Sequence, residues 1–108
     1  MNDTLDTEIK IAVHRDGQTV HVQLAGVLDS TAAPHVRSSI KPALKEGATD
    51  LILDLSDVSY VDQTGVDGLI HAARIARRLG GQVVLRNCPE QVIRLLAALG
   101  RDHLFTYR

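Results

Sequence analysis

The sequence predicts an α/β fold in a single domain: a mostly parallel central sheet, an N-terminal β-hairpin strand, and helices packed against the sheet. Three observations carry this. Strand-type and helix-type segments alternate along most of the chain, and strand–helix–strand connections close as right-handed crossovers between parallel strands. Asp16-Gly17 stands between two β-rich segments, a strong local hairpin signal. Leu51 to Leu55 is almost continuously apolar, as in a parallel strand covered on both faces.

The elements follow in order. Ile9 to Val13 and Thr19 to Leu24 read as the hairpin strands, and Val20, Val22 and Leu24 alternate with His21 and Gln23, so one face is buried. Gly26 to Asp29 turns toward a helix over Ala33 to Lys45 with a core stripe of Val36, Ile40 and Leu44; Pro42 argues against its second half. After the strand Leu51–Leu55, an acidic turn-forming segment delivers Asp62-Gln63-Thr64-Gly65 to the start of the clearest helix. Its apolar positions Val66, Leu69, Ile70, Ala73 and Ala76 recur at helical spacing, and Asp67, His71, Arg74 and Arg78 share the opposite face. Gly80-Gly81 stops it. Gln82 to Leu85 is a further short strand, Pro89 opens a third helix with Val92, Leu95, Leu96 and Leu99 as its stripe, and Phe105 to Tyr107 forms a last strand.

Composition narrows the function classes. A chain of 108 residues has room for one modest core. Net charge is −1 and only three residues are aromatic, which removes the basic footprint and stacking platform of a nucleic-acid binder. No apolar run approaches the roughly 18 residues of a membrane span. The acidic start, MNDTLDTEIK, lacks the basic and apolar regions of a signal peptide. One cysteine, Cys88, cannot form an internal disulfide. A cytoplasmic protein is expected, and the sequence assigns it no oligomeric state.

The residues offer little for catalysis. The five histidines lie on five different elements or ends without zinc-motif spacing, and no phosphate loop, nucleophile elbow or Rossmann glycine pattern is present. Cys88, just before Pro89, reads as a small buried residue rather than a nucleophile. The carboxylates Asp29, Asp54, Asp57, Asp62 and Asp67 would hold Mg²⁺ if three converged. Their bland reading, as turn residues and a first-turn helix acid, is preferred, so no metal and no cofactor are expected. Thr64-Gly65-Val66-Asp67 fits the [ST]-x-x-[DE] capping pattern, with the Thr64 hydroxyl accepting from a first-turn N–H. The alternative is a hydroxyl presented at a helix start to a phosphate or a partner. The face Asp67, His71, Arg74 and Arg78 begins at the same turn, which makes it the best interface candidate in the chain.

An ordered set of segments then resembles a known family. Gly26-Val27-Leu28-Asp29 is similar to the Gly-Glu-Leu-Asp segment that follows the second strand of STAS domains. Leu53 to Val66 is similar to their central strand and Asp-Ser-Ser/Thr-Gly loop, and Gly80 to Leu85 and Leu104-Phe105-Thr106 also match. The chain resembles in particular the small stand-alone anti-sigma factor antagonists (anti-anti-sigma factors) of bacteria. The resemblance divides it into a flexible N-terminal tail, residues 1–8, and a STAS domain, residues 9–108.

What the resemblance implies is a non-enzymatic, protein-binding module of transcription regulation. Such a module binds an anti-sigma factor, often a serine kinase, and so frees a sigma factor. It implies a partner-binding loop of Asp29, Asp62, Gln63, Thr64 and Gly65. The family's phospho-acceptor directly follows the loop aspartate, where this chain has Gln63, which has no hydroxyl; Val27 also replaces the usual Glu. The fold expectation survives both departures, whereas the phosphorylation switch does not follow unless Thr64 substitutes as acceptor. STAS domains also occur as subunits of ATP-driven lipid transporters and of larger sensory complexes, a second expectation. An enzyme or small-nucleotide binder built on the carboxylates is a third.

Overall fold

Five strands lie in the sheet in the order in which the chain makes them: β1 (Lys10–Asp16), β2 (Thr19–Leu28), β3 (Asp50–Val61), β4 (Val83–Arg86) and β5 (Thr106–Tyr107). The structure, a computed structural model, describes residues 9–108; the expected tail, residues 1–8, lies outside the described residues. β1 and β2 are antiparallel, and every later neighbour pair is parallel. Three helices make the crossovers, α1 (Ala32–Lys45), α2 (Gln63–Arg78) and α3 (Glu90–Ala98), and a short 3₁₀ turn (Asp102–Leu104) precedes β5.

This order decides where the helices sit. Each crossover steps one strand in the same direction, so right-handed connections place α1, α2 and α3 on one face. Burial agrees: Val20, Val22, Leu24, Leu51, Leu53, Leu55, Val83 and Leu85 are buried, whereas His21, Ile52, Asp54 and Arg86 are half-buried and Gln23 is exposed. The expectation of a β3 covered on both faces is therefore corrected. The apolar run looked continuous only because Ile52 occupies one position of the open face.

The helices meet the sheet through the expected stripes. α1 buries Ala32, Ala33, Val36, Ile40 and Leu44, and it continues through the exposed Pro42 because Ile40 and Leu44 hold its last turns on the core. α2 buries Val66, Leu69, Ile70, Ala73 and Ala76 together with Gly65, Gly68 and Ala72. α3 buries Val92 and Leu96, and Leu95 and Leu99 pack at the margin. Gly80, at φ 86°, takes the left-handed conformation that ends α2.

Two strands run longer than their apolar patterns suggest. β4 pairs with β3 only over Leu51–Asp54, but β2 and β3 continue together to Leu28 and Val61, with register shifts at Gln23/Ala25 and Gly26/Val27. Bulges of this kind bend and twist a ribbon. The segment Ser56–Tyr60 has no core beneath most of it and is largely exposed, so its polar sequence gives a turn-like pattern although its backbone is paired. The ribbon carries two chain segments out, side by side, to the loops that begin at Asp29 and Asp62.

Candidate functional site

Each of those loops is an apolar residue, an aspartate, a polar residue and a threonine: Leu28-Asp29-Ser30-Thr31 and Val61-Asp62-Gln63-Thr64. Leu28 and Val61 are paired in register, and the Asp62 N–H donates to the Leu28 carbonyl at 3.2 Å. The two loops thus leave the sheet as neighbours and each enters a helix at once.

Both aspartates act on their own helix. Asp29 Oδ1 accepts from the N–H groups of Thr31 (3.0 Å) and Ala32 (3.1 Å). Asp62 Oδ1 accepts from the Gly65 N–H (2.9 Å) and from the Thr64 hydroxyl (2.6 Å). A carboxylate at a helix start is favoured both by the unpaired N–H groups and by the dipole. The Thr64 hydroxyl bond, followed by the Gly65 N–H, holds the Asp62 carboxyl below the usual carboxylate range. The expectation that Thr64 caps α2 as an acceptor is therefore corrected. Asp62 is the N-cap, Thr64 is the second helical residue, and its hydroxyl donates. The charged carboxylate outcompetes the hydroxyl for the first-turn N–H.

Gly65 locks the loops together. A Cβ there would run into the Leu28 carbonyl and come within 2.9 Å of the Asp29 nitrogen, so only glycine allows the first turn of α2 to lie against the end of β2. With the two aspartates half-buried and engaged, the groups presented outward are Ser30, Thr31, Gln63 and Thr64, all exposed. Tyr60, 54% exposed on the ribbon next to the loop, adds an aromatic ring. Gln91 of α3 reaches back and donates to the Val61 carbonyl at 3.0 Å. Ser30, Thr31, Tyr60 and Gln91 were not singled out in the sequence. The repeated apolar-Asp-polar-Thr pattern was the available signal for the first two.

Asp67, His71, Arg74 and Arg78 are all exposed on α2, as expected, so the face runs on from the loop without interruption. Desolvation, then the charges of Arg37, Arg78 and Arg74, pull the His71 pKa below its usual value, a sign of positive potential along this face. The other carboxylates do not join the loop. Asp54, on the open face of the sheet, accepts from the Ser56 N–H (2.9 Å) and the Asn87 amide (3.3 Å), and Asp57 accepts from the Gln23 amide (3.4 Å). Among the described residues no three of His, Cys, Asp and Glu gather closely enough to hold a metal ion. Burial pushes the Cys88 thiol up to about 11, far from the range of a nucleophilic thiolate.

Known proteins share this sequence pattern and fold. The family model described as "Mlab, STAS domain" matches residues 11–106. The anti-sigma-B factor antagonist of Bacillus subtilis is 34% identical over 92 residues, covering 85% of this chain and 84% of that protein. The protein of the same name from Listeria monocytogenes is 31% identical over 97 residues, covering 89% and 82%. Among solved structures, the anti-sigma factor antagonist SpoIIAA in its unphosphorylated form superposes with a TM-score of 0.77 at 24% identity, covering 92% of this chain and 88% of that one. An anti-sigma factor antagonist from Mycobacterium paratuberculosis gives 0.72 at 24% identity, covering 94% and 86%. At this identity the two structures speak for the fold. With the family model spanning nearly the whole chain and curated relatives above 30% identity, the protein belongs to the STAS domain family.

Proposed function

We propose that this chain is a cytoplasmic, non-enzymatic binding module that acts as an anti-sigma factor antagonist, engaging an anti-sigma factor of the serine-kinase type and so releasing a sigma factor. The observation that carries the reading is the paired loop. Two helix starts held side by side present exposed Ser30, Thr31, Gln63 and Thr64 beside Tyr60 and the polar face of α2, in a chain 34% identical to an anti-sigma-B factor antagonist. Asp29, Asp62 and Gly65 set the shape of this surface; Gln63, Thr64, Asp67, His71, Arg74 and Arg78 meet the partner.

Gln63 stands where the family's acceptor hydroxyl would be, so binding by the unmodified chain is constitutive with respect to that position. Thr64 carries the remaining hydroxyl of the Asp62–Gly65 loop. A phosphate adds about −1.5 to −2 charges, and at Thr64 these would face the Asp62 carboxylate that now accepts the hydroxyl at 2.6 Å. Phosphorylation there would break the bond that orders the loop and oppose binding by charge.

Affinity capture of the native protein from its own cell lysate, read by mass spectrometry, tests the proposal. Recovery of an anti-sigma factor supports it. Recovery of transporter subunits instead would keep the fold and replace the function. Incubation with the captured kinase should add no phosphate to a Thr64→Ala variant, and one phosphate on the native chain would make Thr64 the acceptor.

A further inference from the structure

Away from the loops, a trough of about 610 Å³ runs between α1 and α2. Its apolar floor includes Ile40, Leu44, Ile75 and Leu79, and Leu79 is 47% exposed although nothing polar requires it there. Its banks carry Arg37, Lys41 and Lys45 on α1 and His71 on α2, and no carboxylate lines it. Arg37, Lys41 and Lys45 recur every fourth residue, as do His71, Ile75 and Leu79, so two helical ridges face each other across the floor.

Among the described residues the ion pairs are Arg15 with Glu46 and Arg94 with Glu90. The bank cations therefore have no carboxylate partner among those residues. The trough is lined from Pro34 to Lys45 along α1, about 16 Å at 1.5 Å per residue, or three helical turns. Its volume falls within the roughly 300–1,000 Å³ of small-molecule sites, but its three-turn length and its cationic banks favour a helical partner. A three-turn channel with an apolar floor between two helices suits an amphipathic helix laid into it through i, i+3, i+4 and i+7 anchors.

We propose that the α1–α2 trough docks an acidic amphipathic helix of a protein partner, its apolar side chains on Ile40, Leu44, Ile75 and Leu79 and its carboxylates against Arg37, Lys41 and Lys45. The charge of the banks selects the sign of the partner, and a second copy of this chain would bring cations to cations. The site stands apart from the paired loop and requires no occupant there, although His71 borders both the trough and the α2 face proposed for the anti-sigma factor.

The test uses the full-length protein and a synthetic 18-residue peptide with Leu at the i, i+3, i+4 and i+7 positions and Glu elsewhere. Matched peptides carry Lys in place of Glu, or Ser in place of Leu. Binding is followed by fluorescence anisotropy, with amide NMR shifts to locate it. The acidic peptide should bind at least about tenfold more tightly than either control, and shifts should fall on residues 34–45 and 71–79. A doubly substituted Arg37→Glu, Lys41→Glu protein, altered only at rim side chains, should lose about tenfold in affinity. Ile75→Glu should do the same, and Gln63→Asp with Thr64→Asp should not. Equal binding of the Lys peptide, shifts centred on residues 62–65, or saturable binding of decanoate with no peptide binding would each overturn the proposal. Self-association that buries the trough would overturn it as well.

Discussion

Substituting Gly65 by alanine adds one methyl group at the point where the two loops meet. Built on the present backbone, that methyl would overlap the Leu28 carbonyl and lie 2.9 Å from the Asp29 nitrogen, against ordinary carbon–oxygen contacts of about 3.3–3.6 Å. The carbonyl has little freedom to yield, because it accepts the Asp62 N–H and sits in the Leu28–Val61 pairing. The first turn of α2 must lift instead, by on the order of 1 Å, which also loosens the 2.9 Å bond from the Gly65 N–H to Asp62. Overpacking of this kind costs about 1–3 kcal/mol, and alanine recovers up to about 1 kcal/mol through helix propensity. The obstacle is backbone rather than a flexible side chain, so the upper part of the range applies and the net loss is about 2 kcal/mol. For a domain of this size that is a fall in Tm of roughly 10 °C, measurable by calorimetry or circular dichroism. Gly68→Ala is the internal comparison: its methyl would meet the Ala33 Cβ at 3.0 Å and Cα at 3.1 Å, a milder crowding with the same propensity gain. A Gly65→Ala protein melting within about 2 °C of the parent, or above Gly68→Ala, would refute the reasoning.

Three further outcomes are expected. By NMR the Asp62 carboxyl titrates below the usual 3.8 and rises toward it in Thr64→Val, because the hydroxyl bond is the largest cause of the shift. The stabilisation tied to it is present above 3.8 and lost as pH falls through the folded value; an unmoved Asp62 in Thr64→Val would count against the loop geometry. His71 titrates below the usual 6.5 and moves up in Arg37→Gln. Because its charged form is disfavoured by folding, its contribution to stability is intact above 6.5 and declines as pH drops toward the folded value. Leu69→Ala, at a fully buried position of α2, should cost about 2–5 kcal/mol in urea unfolding, whereas Leu79→Ala at the exposed end should cost under about 1 kcal/mol.

Much of the fold is legible in the sequence because local chemistry and tertiary role agree. Asp16-Gly17 turns the hairpin, with Asp16 opposite Thr19, and the stripes of α1 and α2 bury the residues that their spacing selects. The departures from expectation share a cause, which is that strand pairing is not periodic in sequence. Ile52 looked like evidence for a second covered face. Ser56 to Tyr60 looked like a turn because a ribbon without a core beneath it needs no alternation. At the site, Asp62 and Thr64 both belong to helix-start chemistry, and their spacing alone does not say which of them accepts the first-turn N–H. The neighbourhood of Asp29 and Asp62, 33 positions apart in the chain, depends on the bulged register that pairs Leu28 with Val61. The cationic trough depends on how α1 lies beside α2, which neither helix encodes by itself.

The central claim is that the paired loop and its helix face bind an anti-sigma factor. Its most direct measurement is the affinity of the captured partner, purified, for the parent protein and for the Gln63→Asp, Thr64→Asp double variant by calorimetry. Both side chains are exposed, but Thr64→Asp also removes the hydroxyl bond to Asp62, so Thr64→Val, which loses that bond without adding charge, is the control for loop order. Two carboxylates placed in the interface should cost several kcal/mol, and a loss of ~2.7 kcal/mol already weakens affinity about a hundredfold. A hundredfold or greater loss in the double variant, well beyond that in Thr64→Val, is the expected result. Unchanged affinity would contradict the account and move the interface elsewhere on the domain.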